Sequence, residues 1–427
     1  MPRRKPLIYA QVAVIVLIAL ALYIHSDAGA AVGWRSGVDG FADVPANATL
    51  SRAELKGYVK AILDPDDTAL PRLECPRADI SRYEYLRVTG SASTRTPYFF
   101  ALDLRNCVGL LPRLLGSVVE AMRFLGPEHC ALSIVEGNSV DGTGDVLAAL
   151  RPRLAALGVR THLVLGNEID PLAEGTQRFA ALAELRNLAL APLRAEPERY
   201  LGTGDRDDES TVIFINDVAI CPDDILELVH QRRRQRADVA CAMDWIGDDP
   251  PVFYDSYVAR AINGDTFFEI PAGGSWARAT DLFWNEPVAR ARFAAHRPFQ
   301  VFACWNGAVA FTARPVAEGA VVFRGSRADR GECHHGEPQL FCKDMWAAGR
   351  GRVMVVSSIN LEYSDAAGRA IKAAKGFTSQ WVAAEQSGGD GGDDGALIDW
   401  QPPPEQVKCM PTFQDQSWRP WNETLDL

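Results

Sequence analysis

One continuous apolar run does most to constrain the fold of this chain. Residues 211–220 read Thr-Val-Ile-Phe-Ile-Asn-Asp-Val-Ala-Ile, and a Cys-Pro-Asp-Asp turn follows them. Because the apolar residues are consecutive rather than alternating, the run predicts a strand that is buried on both faces. Asn216 and Asp217 end this strand, at the edge where open α/β sheets bind ligands. A carboxylate there suits a divalent ion that holds a diphosphate, although Asp217 could equally begin an ordinary turn.

Strands and helices alternate in the part of the chain that precedes this run. Strands are predicted at 97–104, 131–136 and 159–165, and helices at 51–63, 110–122, 146–157 and 177–193. Such alternation produces right-handed βαβ units, so the sequence predicts an α/β fold with a mostly parallel sheet and helices on both faces. Neither a GxGxxG nor a Walker A pattern occurs, which argues against dinucleotide-binding and P-loop proteins.

The amino terminus predicts a membrane anchor. Arg3, Arg4 and Lys5 precede residues 7–24, which are apolar except for Gln11. This run is about long enough to cross a hydrocarbon core as a helix. The basic flank would stay cytoplasmic, which places the body of the chain in the lumen or outside the cell. A cleaved signal peptide is the alternative, because small residues follow the apolar run.

Glycosylation sequons and cysteines agree with a lumenal body. Asn47 and Asn422 each begin an Asn-x-Thr sequon, near opposite ends of the predicted body. The chain has nine cysteines, so pairing in an oxidising compartment would leave at least one free. Cys333 and Cys342 are spaced to close a short loop. The absence of any CxxC spacing argues against a structural zinc site.

The second half of the chain is rich in aromatic residues and is predicted to be irregular. Aromatic side chains cluster with Asp, Asn and Gln at 253–258, 264–268, 281–285 and 298–307. Aromatic faces can cover the apolar side of a pyranose, while amides and carboxylates bind its hydroxyl groups. This composition therefore fits a sugar-binding cleft, although any single aromatic residue fits a protein core as well. The net charge of −11 argues against nucleic-acid binding.

Three further segments carry polar residues that suit chemistry. Glu136 and Asp141 lie at a strand-to-helix junction, where they could hold a nucleoside or simply cap the helix. Arg186 on the third of the βαβ helices could contact phosphates or lie exposed to solvent. The segment 334–346 places two adjacent histidines close to Glu337 and Asp344. Adjacent histidines point in different directions, so one of the two at most would serve as a metal ligand or activate an acceptor.

These motifs together resemble the fungal capsule-associated, cryptococcal α-1,3-mannosyltransferase family, which is glycosyltransferase family 69. The resemblance runs from about residue 98 to about residue 363. It rests on ordered strings that include Glu-Gly-Asn-Ser-x-Asp-Gly-Thr at 136–143, Leu-Arg-Asn at 185–187, Phe-Ile-Asn-Asp-Val at 214–218, Met-Asp-Trp at 243–245, Phe-Tyr-Asp-Ser-Tyr at 253–257, Cys-Trp-Asn-Gly at 304–307 and Gly-Glu-Pro-Gln-Leu-Phe-Cys-Lys-Asp-Met-Trp at 336–346.

The resemblance implies a fold, a reaction and a set of functional residues. It implies a GT-A fold (a Rossmann-like mixed sheet), type II membrane topology in the Golgi or endoplasmic reticulum, a GDP-mannose donor, a mannose-containing glycan acceptor, Mn²⁺ or another divalent cation, and retention of configuration. Donor contacts are assigned to Glu136, Asn138, Asp141, Arg186 and Asn216, metal binding to Asp217 and His335, and catalysis to Asp244, Glu337 and Asp344. Asn216 precedes Asp217 where related enzymes have Asp-x-Asp, so the second metal ligand is not assigned.

The predicted organisation follows from these assignments. It consists of a cytoplasmic stub and anchor at 1–25, a stem at 26–50, a glycosyltransferase domain at 51–385, a flexible linker at 386–396 and a tail at 397–427. Within the domain, residues 98–220 would bind the nucleotide and residues 221–365 the acceptor and sugar. Two other functions stay open at this point. One is a sugar nucleotidyltransferase, and the other is a non-catalytic protein that binds glycans during capsule or wall assembly.

Overall fold

The computed structural model describes residues 48–77, 80–88, 95–202, 210–247, 249–387 and 397–425. The predicted anchor at 7–24, the Asn47 side chain and most of the predicted linker lie outside these ranges. Within them, no helix combines the length and the apolar character that a membrane crossing requires.

A ten-stranded mixed sheet forms the centre of the fold, in the order β3-β2-β1-β4-β9-β5-β10-β8-β7, with β6 paired to β5. The strands are β1 (Tyr98–Leu104), β2 (Cys130–Glu136), β3 (Arg160–Val164), β4 (Thr211–Ile215), β5 (Val239–Ile246), β6 (Val252–Phe253), β7 (Arg260–Ala261), β8 (Phe299–Ala303), β9 (Ala308–Thr312) and β10 (Val353–Leu361). A separate antiparallel hairpin joins β11 (Gln406–Cys409) to β12 (Ser417–Pro420).

Helices pack around the sheet. They are α1 (Arg52–Leu63), α2 (Leu111–Leu125), α3 (Thr143–Ala156), α4 (Arg178–Ala189), α5 (Ala191–Ala195), α6 (Pro197–Tyr200), α7 (Pro222–Arg234), α8 (Pro287–Ala294), α9 (Arg314–Ala317), α10 (Glu337–Ala347), α11 (Asp365–Lys375) and α12 (Thr378–Ser387). Short 3-10 turns lie at Ile80–Leu86, Val108–Leu110, Pro127–His129 and Ala328–Arg330.

The first half of the sheet has the predicted parallel arrangement. β1 pairs in parallel with both β2 and β4, and β2 pairs in parallel with β3. Every residue of β2 and β4 is buried, as a strand covered by helices on both faces requires. The carboxyl ends of β1, β2 and β4 therefore meet at one edge, which places Asn216 and Asp217 at that edge.

The second half differs from the sequence-based expectation, because it completes the sheet rather than forming an irregular region. β9 inserts antiparallel between β4 and β5, and β10 pairs in parallel with β5. These strands are hard to recognise because β6 and β7 have two residues each and the β5–β10 register shifts at a bulge. Most of the aromatic side chains in this half belong to the core, including Phe253, Phe267, Phe283 and Phe299.

Two local predictions are corrected by the structure. The helix predicted at 177–193 is divided into α4 and α5 at Leu190, because Pro192 lacks the N–H that would continue the helical ladder. The short Cys333–Cys342 loop does not form. Cys333 instead pairs with Cys409 in the carboxyl-terminal hairpin, and Cys342 is buried as a free thiol. The hairpin is thereby attached to the body of the protein.

Two further disulfides connect segments that are distant in sequence. Cys75 pairs with Cys221 at the amino-terminal cap of α7, and Cys241 of β5 pairs with Cys304, which follows β8. Within the described residues, Cys107, Cys130 and Cys342 are the free cysteines. A disulfide between distant segments stabilises a fold mainly by restricting the unfolded chain.

A fully buried ion pair joins α11 to the start of α7. The Lys372 ammonium lies 2.8 Å from both carboxylate oxygens of Asp224, and neither side chain is exposed to solvent. Asp224 also accepts hydrogen bonds from the Thr378 hydroxyl and the Cys221 N–H. The carboxylate is thus fully compensated, which a buried charge requires.

We expect Lys372→Met to destabilise the protein by about 3–5 kcal/mol, because it leaves the Asp224 carboxylate buried without its counter-ion. The double variant Lys372→Met with Asp224→Asn removes both charges and should lose substantially less stability. Urea unfolding of the purified proteins at pH 7 measures both effects. Equal losses in the single and double variants would contradict the view that the uncompensated charge causes the damage.

Candidate active site

A cavity of about 350 Å³ opens at the carboxyl ends of β4 and β10, beside the first turn of α10. Its walls come from α4, the loop after β6, the turn between β8 and β9, and α10. The lining residues are Arg178, Phe179, Leu182, Arg186, Asn216, Tyr254, Asp255, Tyr257, Val258, Trp305, Gly336, Glu337, Pro338 and Tyr363. The cavity therefore lies at the ligand-binding edge predicted from the sequence.

Arg186 forms one wall of this cavity. Its Nε donates to Oε1 of Glu337 at 2.9 Å, and both side chains are largely buried. The guanidinium lies over the Trp305 ring, 4.4 Å from its centroid, and also contacts the Phe214 ring. This geometry holds the cation rigidly, because stacking and the ion pair both restrict the plane of the guanidinium. Among the described residues, its two Nη groups have no hydrogen-bond partner.

The end of β4 is fixed by the turn that precedes β9. The Asn216 N–H donates to the Gly307 carbonyl at 2.8 Å, and the Asn216 Oδ1 accepts from the Trp305 indole at 3.1 Å. Burial raises the pKa of Asp217, while the Arg186 charge opposes this effect. Asn216 is thus occupied in positioning Trp305, and Asp217 supplies the charge at this strand end.

Asp103 adds a second carboxylate at the same edge. The β1–β4 register pairs Ala101 with Phe214, and continuing it by two residues brings Asp103 beside Asn216. Asp103 Oδ1 is buried and has no hydrogen-bond partner within the described residues. Burial raises the pKa of Asp103 to about 7, with the Arg186 charge acting in the opposite direction.

Asp255, which lines the cavity, and the buried Asp244 form a second carboxylate pair. Asp244 accepts a hydrogen bond from the Tyr363 hydroxyl at 2.6 Å. Asp255 accepts from the backbone N–H of Asn306 at 2.9 Å. Burial and the neighbouring Asp255 charge raise the pKa of Asp244 well above its usual range, and burial raises the pKa of Asp255 to about 6. Perturbed carboxylates beside a cleft are typical of catalytic sites.

The predicted donor-binding residues on the β2–α3 junction have a different environment. The Glu136 carboxylate accepts from the backbone N–H groups of Ser139 and Gly166, and Asp141 accepts from those of Val108 and Thr143. These bonds shape the loop before α3. Asn138 is exposed, with a left-handed backbone. Glu136, Asn138 and Asp141 do not line the cavity, whereas Arg186 and Asn216 do.

Two of the residues that the sequence assigned to catalysis or metal binding lie away from the cavity. Asp344 accepts two hydrogen bonds from the Arg324 guanidinium, which also pairs with Glu332. His335 is buried next to the Cys333–Cys409 disulfide, and burial lowers its pKa to about 3. The structure therefore does not bring either side chain together with Asp217, while Glu337 and Asp244 do lie at the site.

The donor set at the strand ends fits a hard divalent cation better than any other cluster. Two groups of three potential ligands occur among the described residues, Cys221 with Asp223 and Asp224, and Cys333 with His335 and Cys409. Their cysteines are disulfide-bonded, so neither group can supply thiolates. Asp217 and Asp103, with its unpartnered buried oxygen, offer the carboxylate ligands that Mn²⁺ and Mg²⁺ take.

Comparison with known proteins identifies the class of protein. The family model for cryptococcal mannosyltransferase 1 matches residues 97–344. The chain is also 34% identical over 380 residues to the alpha-1,3-mannosyltransferase CMT1 of Cryptococcus neoformans var. neoformans serotype D, covering 85% of this chain and 76% of the relative. The protein is therefore an enzyme of the glycosyltransferase class. It belongs to the cryptococcal mannosyltransferase 1 family.

Solved structures give more distant likenesses. The mannosyltransferase PcManGT from Pyrobaculum calidifontis, in complex with GDP-Man and Mn²⁺, is 13% identical with a TM-score of 0.34, covering 80% of this chain and 73% of that chain. GalNAc-T7 with UDP, GalNAc and Mn²⁺ is 13% identical with a TM-score of 0.38, covering 77% of this chain. The match spans 56% of the GalNAc-T7 chain, less than two thirds of its length.

Sequence reasoning missed four residues of the site. Asp255 and Trp305 lie inside two of the motifs on which the family resemblance rests. The motifs showed that these residues belong to the family pattern, but they did not indicate that the two residues line the cavity. Asp103 follows a predicted strand in the same way as Asp217 does, and the rule that parallel strand ends converge could have identified it. Tyr363 has no such signal, because only the pairing of β10 with β5 brings it to Asp244.

The raised pKa of Asp103 predicts a pH-dependent stability. Its unfolded pKa is about 3.9, so between about pH 4 and 7 the folded state binds more protons, and ionisation destabilises the fold as pH rises. The Asp103→Asn variant has no carboxylate to ionise at this position. In EDTA, we therefore expect its free energy of unfolding, relative to that of wild type, to increase by about 1 kcal/mol or more as the pH rises from 5 to 8. Urea unfolding at the two pH values measures this change. The exposed Asp415→Asn should show no such trend, and a gain independent of pH would refute the prediction.

Proposed function

We propose that this enzyme transfers mannose from GDP-mannose to a mannose-containing glycan, forming an α-1,3 linkage with retention of configuration. The observation that carries the proposal is the 34% identity, over 85% of this chain, to a relative named alpha-1,3-mannosyltransferase. The matched region, 85% of this chain, is longer than the segment at 97–344 that the family model matches. The chain would accordingly have a GT-A-type architecture, which its mixed sheet and strand-end carboxylate support.

The cavity has the chemistry that a nucleotide sugar needs. The Nη groups of Arg186 can bind diphosphate oxygens, because the Glu337 ion pair leaves them available. Tyr254 and Tyr257 provide aromatic surfaces against which the apolar side of a mannose can pack, while the buried Trp305 forms the wall beneath the Arg186 guanidinium. Glu337 and Asp255 can accept hydrogen bonds from its hydroxyl groups. The Asn216–Trp305 hydrogen bond would hold the wall in position before the donor enters.

A divalent cation, with Mn²⁺ as the first candidate, is part of the proposal. Asp217 would hold it, with Asp103 as the nearest further carboxylate. When bound, such an ion would act as a Lewis acid that neutralises the leaving diphosphate. The chain's own contribution is the guanidinium of Arg186, whose charge opposes the rise that burial causes in the pKa of Asp217 and of Asp103.

The proposed location is the Golgi or endoplasmic reticulum membrane, with a single-pass type II topology and a lumenal catalytic domain. The apolar run at 7–24 and its basic flank support this topology. The three disulfides support an oxidising compartment, because such bonds are rare in the cytosol. Asn47 would then be accessible to glycosylation in the stem.

Loss of the Asp217 carboxylate should abolish transfer. We expect Asp217→Ala to lower kcat for GDP-mannose by at least about 100-fold, because it removes the charged ligand at the end of β4. Release of GDP from GDP-mannose, with Mn²⁺ and a mannose disaccharide acceptor, measures the effect in purified protein. Parallel assays with UDP-glucose, UDP-galactose and UDP-xylose test the identity of the donor.

The control variant is Asp329→Ala, which removes an exposed carboxylate from a surface turn. It should keep the activity of wild type. A wild-type protein that neither transfers nor hydrolyses any of these donors, and so equals Asp217→Ala, would refute the proposed function. Activity with UDP-xylose alone would support a glycosyltransferase but would contradict GDP-mannose as its donor.

The Asn47 sequon tests the topology. If the body is lumenal, endoglycosidase treatment of the full-length protein from a eukaryotic host should increase its gel mobility. The shift should decrease or disappear in Asn47→Gln. The matched control Asn167→Gln, at an asparagine outside any sequon, should leave the shift unchanged. Lack of a shift in every variant, together with protection of the amino terminus rather than the body from added protease, would contradict a lumenal body.

A further inference from the structure

Five carboxylates lie at or near the cavity, and of these Asp255 and Glu337 line it. Asp244 accepts the Tyr363 hydroxyl through Oδ2, and its Oδ1 is enclosed by protein. The Oδ1 of Asp103 is enclosed in the same way. Glu337 is engaged by Arg186 through Oε1, and Asp217 does not line the cavity. Asp255 therefore has to be considered separately from the other four.

Asp255 combines a fixed oxygen with a free one. Its Oδ2 accepts the N–H of Asn306, while Oδ1 has no hydrogen-bond partner among the described residues and is not enclosed. The residue lines the cavity, as do its neighbour Tyr254 and Glu337. One oxygen of the carboxylate thus sets its orientation, and the other is available to a bound molecule.

The turn that holds Asp255 has a conformation that most residues avoid. Asn306 has a φ of 55° and Gly307 a φ of 80°. The Asn306 amide donates to the Ala242 carbonyl at 2.7 Å, which holds the left-handed turn in place. A side chain at Gly307 would lie 3.2–3.3 Å from Val218 and Asp244, so the close packing also requires glycine. Strained turns of this kind persist where the surrounding structure enforces them, and they are frequent at active sites.

The loop that carries Asp255 is held equally firmly from its other end. The buried Arg260 donates to the carbonyls of Ser256 and Ala259, at 3.2 and 2.7 Å, and to that of Lys408 in the carboxyl-terminal hairpin, at 2.9 Å. The loop is therefore attached to a segment that the Cys333–Cys409 disulfide anchors. A catalytic group must be held to within a fraction of an ångström, and these contacts provide that support.

We propose that Asp255 is the catalytic carboxylate that faces the anomeric carbon of the donor and stabilises its positive charge during transfer. This assignment rests on the proposed function. As the bond between the anomeric carbon and the diphosphate breaks, its electron pair leaves with the phosphate oxygen, and the carbon becomes positively charged. The acceptor oxygen then forms the new bond and passes its proton to that phosphate oxygen. Asp255 is unchanged at the end, so the step corresponds to the front-side route to retention.

The electrostatic setting suits this role. Burial removes water from the Asp255 carboxylate and raises its pKa to about 6, while the Asn306 N–H and the charges of Arg186 and Arg260 favour its ionised form. The Glu337 charge opposes ionisation, so the carboxylate form depends on the Asn306 N–H and the two guanidinium groups. A poorly solvated anion that is already in position interacts strongly with a developing positive charge.

The test compares Asp255→Asn with wild type. Asn can still accept the Asn306 N–H, so the shape of the site is preserved while the charge is lost. We expect kcat for GDP-mannose to fall by at least about 100-fold, with KM for the donor within about threefold, because only the transition state carries the positive charge. The exposed Asp281→Asn is the matched control and should behave as wild type. A kcat within tenfold of wild type would overturn the assignment.

A second variant keeps the inference testable if Asp255→Asn does not fold. Asp255→Ala leaves a space that formate can enter, and formate should restore its kcat at least tenfold. Folding is checked by the melting temperature and by GDP binding. A folded Asp255→Ala with wild-type activity, or with low activity that formate leaves unchanged, would overturn a catalytic role. An inactive wild-type enzyme would instead refute the proposed function, which distinguishes the two failures.

Discussion

The buried ion pair between Arg186 and Glu337 is the interaction on which the site depends. It joins α4 to the first turn of α10, and Trp305 of the β8–β9 turn lies under the guanidinium. A buried cation is tolerated only when its charge is compensated. Here the compensation comes from segments that are more than a hundred residues apart in sequence. The site therefore depends on the fold, since α4, the helix that carries Arg186, also covers the sheet.

The same logic explains how the carboxyl-terminal hairpin affects a cavity that it does not line. Arg260 needs acceptors for its buried guanidinium, and Lys408 of the hairpin supplies one. The Cys333–Cys409 disulfide keeps that acceptor in place. The tail thus stabilises the loop that presents Asp255, and it does so through a backbone carbonyl rather than through any catalytic side chain.

Sequence patterns predicted the first half of the fold, where the apolar pattern of each segment matches its place in the parallel sheet. The run ending in Asp217 is apolar throughout, so its identity as a buried parallel strand could be predicted before its partners were known. The arrangement of the strands from residue 239 onward could not be predicted in this way. β9 enters the sheet antiparallel between β4 and β5, and the local pattern of apolar residues does not indicate such an insertion. The site followed the same division. Arg186 and Asp217 were predicted, whereas Asp103 and Asp255 acquire their role only from strand pairing and from the Asn306 turn.

The charge balance of the site gives an independent reason to expect a cation with the proposed donor. Asp103, Asp217, Asp255 and Glu337 lie near one guanidinium, and burial together with the Glu337 charge raises the pKa of Asp103 and of Asp255. A diphosphate brings further negative charge into the same small volume. In a medium of low effective dielectric constant, that repulsion would outweigh the single attraction to Arg186. A divalent ion at the strand ends would remove the conflict, because it would compensate the diphosphate and the acidic edge together.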